Sequence, residues 1–283
     1  MLAHMLPDGR RLRLHDGPID LIIGADGTSD EICKAYGAAT RRFTTILDEL
    51  CSELPNLRES QGPEPTGSVA CRMWQAVLPY REERFITPMA AVAGAVAEEI
   101  LGCMTETARL DRAYVNNGGD IALHLAGNAA LKIGLIDRCD RPSLFATTVI
   151  SAQHPCRGVA TSGRGGRSFS LGIADAVTVL AVGAAEADAA ATIVANDVDL
   201  PGHPGILRRP ACDLQPDSDL RTLPVTVSVK SLEIGEVEEA IDRGLRSATS
   251  LVARGLILAA ALHLQGQTRC VGATNAKPQV ASG

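Results

Sequence analysis

Aromatic residues are nearly missing from this chain. Phe, Tyr and Trp make up 3% of its 283 residues, with a single Trp. Its core must therefore be built from Ala, Val, Leu and Ile, and an aromatic platform for stacking single-stranded bases is excluded. An excess of positive charge is missing too: 27 Lys and Arg stand against 33 Asp and Glu, a formal charge of −6. Nucleic-acid binders carry a basic balance, so no nucleic-acid partner is expected. The cysteines at 33, 51, 71, 103, 139, 156, 212 and 270 form no CxxC or other metal-type pair, which argues against a zinc site. Their even count admits disulfides. A chain of this length without a leader-like start is instead expected to be cytoplasmic, with most thiols reduced and packed as small buried groups. No long apolar run is uninterrupted. The stretch 86–104 contains Glu98 and Glu99, and 251–264 contains Arg254, so no membrane span is expected. Neither a GxxxxGK[ST] loop nor a GxGxxG fingerprint occurs.

What is present reads as a globular chain, 46% hydrophobic and 21% charged. A turn at Asp16-Gly17-Pro18 between two apolar runs predicts a hairpin. Thr28 with Glu31 three residues on is a capping box, opening a long helix that Pro55 should end. Residues 55–67 read as a loop, and Ser68 to Leu78 as a short helix. Thr87-Pro88 opens an apolar, Ala- and Gly-rich helix through residue 104. Strands follow at 112–116, 121–125, 130–136 and 144–150, separated by gaps too short for parallel crossovers. Val177 to Ala181 reads as a strand and Ala184 to Ala195 as a helix. Residues 197–222 read as a long loop, Thr226 to Val229 as a strand, and Glu233 to Leu264 as mostly one helix, or two broken near Gly244 or Gly255. No repeat and no clean linker appears. The expectation is α+β: antiparallel sheet packed with long Ala-rich helices. A single domain over 1–266, with two tandem sheet-plus-helix halves as a variant, would be followed by a flexible tail over 267–283.

The chemistry concentrates between Gly158 and Asn196. Thr161-Ser162-Gly163 runs into Arg164-Gly165-Gly166-Arg167-Ser168, where glycines expose backbone N–H groups and guanidinium groups pair with anions. The same run also suits a solvated hairpin loop. Asn117-Gly118-Gly119-Asp120 is either a plain β-turn or a loop projecting Asn117 and Asp120 into a pocket. Asp188 and Thr192 share a helix face at i and i+4. Together they can hold a hard cation such as Mg²⁺, or serve the helix dipole and packing. Asp175 is the candidate catalytic acid or base, and equally a buried acceptor for Arg164 or Arg167. A nucleophilic Ser162 or Ser168 is a further option, without a GxSxG context.

NNGGD at 116–120, VATSG at 159–163, VTVLA at 177–181 and ADAAAT at 187–192 follow one another in an order that resembles the ApbE-like superfamily. The likeness covers roughly residues 110–200. FITPMAAVAGAVAEEIL, TSGRGGRSFSLGIADAVTVLA and DLPGHP place it near an uncharacterised bacterial and archaeal branch. ApbE proteins are FAD-binding flavin transferases that attach FMN to a protein threonine with Mg²⁺. The resemblance implies that Gly118, Gly119 and Asp120 line a flavin site beside Thr161, Ser162 and Gly163. It also implies that Asp188 and Thr192 are metal ligands, with a backbone oxygen near Ala160. The family's HIIDPRTG-type segment is here reduced to SFSLGIAD, without the histidine, a departure that bears on FMN transfer. Two functions are carried forward. One is a protein, possible transferase included, that binds FAD, FMN or another small anionic ligand with Mg²⁺, Arg164 and Arg167 gripping the anion. The other is a non-catalytic, homo-oligomeric protein that keeps the fold.

Overall fold

The computed structural model describes residues 1–138, 144–272 and 277–278. They form helices and antiparallel sheets, an α+β chain as expected. The chain divides into two units, each assembled from separated stretches of sequence.

The first unit comprises Met1–Leu131, Ile150–Ala160 and Ala181–Ala189. Strands β1 (Leu2–Met5), β2 (Leu12–Asp16), β3 (Ile19–Asp26), β4 (Arg112–Asn117) and β5 (Asp120–Leu125) pair antiparallel in sequence order. The hairpin read at Gly17 is β2–β3. On the far side of β5, Ile121 and Ala122 pair with Val159 and Gly158. Helix α1 (Ser29–Leu57) starts at Thr28, whose hydroxyl accepts from the Glu31 amide at 3.4 Å. The second half of the expected box is not made. Glu31 turns to the Lys34 ammonium and the Arg109 amide, 2.6 Å each. Pro55 does not stop α1 either. Buried Leu57 and a bond from Arg58 N–H to Leu54 O hold one more turn. After α2 (Ser68–Val77) and a 3-10 turn at Pro88–Ala91 comes α3 (Val92–Thr107), packed against α1, α2, β4 and β5. Pro88–Thr107 is long and apolar enough to cross a membrane, and 50% of that stretch is buried within the fold.

The second unit comprises Lys132–Val149, Thr161–Leu180 and Ala190–Gly283. Most of β6 (Ala130–Ile136) and β7 (Leu144–Ser151) belongs here, with β14 (Lys277–Pro278) on the other edge of β7. Strand β8 (Gly158–Ser162) ends in this unit, and β9 (Ala176–Ala181) is buried throughout. Helix α4 (Ala184–Asp197) finishes here too.

Three expectations are corrected in this unit. The loop at 197–222 contains β10 (Ile206–Pro210) and a single turn α5 (Ala211–Leu214), with β10 paired to β11 (Pro224–Val229). Helix α6 (Ile234–Ala253) stops where Gly255 turns to φ +72°, a helix-ending conformation. Ala259–Leu264, expected as more helix, is strand β12 between β9 and β13 (Gln267–Gly272). An apolar run buried on both faces carries no periodicity to separate strand from helix. The expected tail therefore begins as a strand paired residue by residue with β12. The cysteines also differ from expectation. Of the seven in the described side chains only Cys156 is buried, and Cys139 lies outside the described residues.

Candidate functional site

The sequence-predicted residues fall into two clusters, one in each unit. In the first unit, Gly118 and Gly119 close the β4–β5 hairpin at φ +68° and +116°, where a side chain would be strained. Asn116 Oδ1 accepts from Gly119 N–H at 2.8 Å and locks the turn. The turn sets Asn117 directly across from Asp120. Asn117 is 4% exposed. Its Nδ2 donates to Ala93 O at 3.2 Å, and its Oδ1 is buried with no hydrogen-bond partner.

Ala93 lies in the first turn of α3, and that turn has no cap of its own. The N-cap residue is Ala91, and no acid occupies the first turn. Asp188 supplies the missing acceptor from α4. Its Oδ2 takes the Gly94 N–H at 3.0 Å, and Ala93 N–H also bonds its carboxylate. The capping is mutual. Glu98 of α3 accepts from the Ala184 and Ala185 amides that open α4. Such close approach needs Gly94, because a Cβ there would sit 2.2 Å from Ala184 O. Asp188 is held well above the ordinary carboxylate range, first by burial and then by the nearby charge of Asp120, against the pull of its two backbone bonds. Thr192 is half-buried one turn further along α4.

In the second unit, the TSGRGGR run folds back on the strand that follows it. Thr161 and Thr178 hydroxyls meet at 2.9 Å. Gly163 is pressed against the backbone, with a Cβ position only 2.5 Å from Asp175 O. Arg164 N–H bonds Ala174 O, and Gly166 N–H bonds Gly163 O, so two amides of the loop serve the fold. Of the two roles open to Asp175, the structure displays the acceptor. The residue is 6% exposed, and Arg164 binds Oδ1 through Nη2 at 2.6 Å and Nε at 3.0 Å. Its Oδ2 accepts from Gln265 N–H at 2.7 Å. Ser162 is half-buried, whereas Arg167 is exposed.

Sequence reasoning missed a cleft in the first unit. About 500 Å³ opens among Arg72, Glu98, Thr105, His124, Arg157 and Glu186, and none of the predicted site residues lines it. Burial and the adjacent Glu186 charge push the Glu98 carboxyl up. Glu186 Oε2 is buried without a hydrogen-bond partner. The available signal was the pair Glu98-Glu99 inside an otherwise apolar helix. Among the described residues, no three His, Cys, Asp or Glu gather as a metal cluster.

Comparison with known proteins gives these features a family. A family model described as AbpE bacteria matches residues 3–270. A UPF0280 protein of Methanopyrus kandleri is 34% identical over 182 residues, 62% of this chain and 69% of that protein. One from Methanococcoides burtonii is 36% identical over 186 residues, 65% of this chain and 75% of its own length. The match to a Methanosphaerula palustris relative, 40% identical, spans 43% of this chain and about half of that protein, 48%. Among solved structures, a mutant of flavin transferase ApbE from Vibrio cholerae aligns over 93% of this chain and 97% of its own, at 11% identity and TM-score 0.47. Apo flavinyl transferase ApbE of Pseudomonas stutzeri aligns over 94% of each chain, at 12% identity and TM-score 0.44. With a family model matched along nearly its whole length, this chain belongs to the AbpE bacteria family.

Proposed function

We propose that this protein binds a flavin nucleotide, or another phosphate-bearing small molecule, together with Mg²⁺, as a transferase-type member of its family. The observation that carries the reading is the buried, unpartnered Asn117 Oδ1 at the start of α3, where Asp188 also takes the Gly94 amide. Asp188 is part-buried, and the charge of Asp120 helps to raise its carboxyl. A divalent cation offsets such charge and offers its open positions to phosphate oxygens. The residues present fit such an ion, because the part-buried Asp188 and the orphaned Asn117 Oδ1 supply the hard oxygen donors it prefers.

Within the second unit, Thr161, Ser162, Gly163 and Arg167 form a candidate anion-binding loop. Arg164 is committed to Asp175, and its role is to hold the loop that carries them. Asp175 is a positioning residue in this reading. Binding is proposed ahead of FMN transfer, since SFSLGIAD offers no histidine where the flavin transferases have one.

Thermal shift of the purified chain against FAD, FMN and ATP, each with and without Mg²⁺, tests the reading. A ligand that binds only the folded state at one hundred times its Kd stabilises it by about 2.7 kcal/mol. A flavin shift enlarged by Mg²⁺ is expected. No shift with any flavin or nucleotide would remove the reading. It would favour a non-catalytic protein in which Asp188 caps a helix and Arg164 braces a loop, the structural roles both residues already fill.

A further inference from the structure

We propose that the cleft of the first unit binds a primary alkylammonium group, seated between the carboxylates of Glu98 and Glu186. Glu98 comes from α3 and Glu186 from the first turn of α4, and Gly183 lies between them. A Cβ on Gly183 would come within 2.5 Å of both Glu98 Oε1 and Glu186 Oε2, so only a glycine lets the two oxygens converge. The capping of α4 does not use Glu186. The Ala184 and Ala185 amides go to Glu98, and the Ala187 amide goes to Gly183 O. Glu186 Oε2 is left buried with no hydrogen-bond partner, although buried acceptors are ordinarily paired.

The rest of the lining decides what kind of group fits. The cleft, about 500 Å³, is bordered by polar side chains whose main donors are already engaged. Arg157 gives Nη1 to His154 O and Cys156 O at 2.6 Å each, and Nη2 to Ala152 O at 2.8 Å. His124 Nε2 donates to Leu110 O, and the Thr105 hydroxyl meets Leu101 O and Gly102 O. Arg72 is shared between Glu98 at 3.7 Å and Glu99 at 3.4 Å. What these side chains leave over is acceptor capacity, which calls for a ligand rich in N–H. An ammonium carries three donors and no acceptor, so one group can serve both glutamates. Burial and the Glu186 charge push the Glu98 carboxyl up, and a cation between the pair offsets both. The charges of Arg72 and Arg157 oppose it. Their guanidinium groups are turned to acceptors of their own, and Arg72, 43% exposed, is screened by water, whereas the ammonium touches two carboxylates directly. Leu101, Leu123 and Val182 offer the alkyl stem an apolar wall.

The test is calorimetric titration of the full chain with n-butylamine hydrochloride at neutral pH, beside tetramethylammonium chloride, a cation without N–H. Wild-type protein is expected to bind butylammonium at one site and to leave tetramethylammonium in solution. Glu186→Gln removes a charge while the caps of α4 stay in place, and it should weaken binding about tenfold or more. Its far-ultraviolet circular dichroism should remain that of wild type. Gly102→Leu narrows the cleft from a position with nothing within 4 Å of its Cβ. It should weaken binding likewise, although it alters no charge. If Glu186→Gln fails to fold, Gly102→Leu decides alone. A wild type that binds no butylammonium overturns the proposal, as do equal affinity for tetramethylammonium and unchanged affinity in Glu186→Gln. Nα-acetyl-lysine methylamide binding tighter than butylamine would support the site and assign the ammonium to a lysine side chain. Weaker binding of it would support the site for a free aliphatic amine. The titration contains no flavin and no Mg²⁺, so its failure leaves the nucleotide reading untouched.

Discussion

Glu98 shows how one buried acid can be both useful and costly. It caps α4, yet burial and Glu186 raise its carboxyl above the ordinary value of 4.5. A raised carboxyl favours the folded state below the unfolded value, and that contribution is lost as pH rises through the folded value. Glu98→Gln keeps an acceptor for the α4 amides and never ionises. Its melting temperature should exceed that of wild type at neutral pH, and the gap should close toward pH 4.5. A variant that melts lower at neutral pH would mean that the charge on the α4 dipole outweighs its desolvation. At this scale the sequence was only half legible. The residue types in NNGGD, TSGRGGR and at Asp188 were recognisable by motif, and for Asp175, read as a catalytic acid or base or as an acceptor for Arg164 or Arg167, the structure displays the pairing with Arg164. Which residues gather at the start of α3 was not readable, because Asn117 and Asp188 reach it only after the chain has folded.

At the scale of elements, Gly94 and Gly102 occupy the same helix and predict opposite outcomes. A Cβ at Gly94 would lie 2.2 Å from a backbone oxygen at the start of α4, whereas nothing lies within 4 Å of the corresponding position at Gly102. Gly94→Ala should cost about 3 kcal/mol or more, since backbone cannot yield as a side-chain tip can. Gly102→Ala should stabilise α3 by roughly 0.5–1 kcal/mol through helix propensity alone. Urea unfolding of both variants checks the contrast, and equal effects would contradict the packing described for α3. Elements with local signals were legible. Thr28, the Gly17 turn and the paired glycines of the β4–β5 hairpin each announced themselves. The start of α3 was legible only through Thr87-Pro88, because its cap is Asp188. Strand β12 was read as helix because its apolar run carries no alternation, and what makes it a strand is the pairing with β9 and β13.

For the whole molecule, composition was a fair guide. A core of Ala, Val, Leu and Ile with few rings is what the chain buries. The division into units was harder to read, since each is stitched from distant stretches. A fragment ending at Leu131 would contain most of the first unit, yet lack Gly158 and Val159 beside β5 and both acidic caps' counterparts at 184–188. Such a fragment should give no sharp thermal transition by circular dichroism, in contrast to the full chain. A cooperative transition in it would show that the later stretches are dispensable. The crossed caps also set an order in time. Glu98 waits for amides 86 residues further on, and Gly94 for a carboxylate 94 residues further on. As the chain leaves the ribosome, α3 emerges long before either partner exists, so its first turn stays frayed until α4 has been synthesised. The two helix starts then close together as one late event of biogenesis.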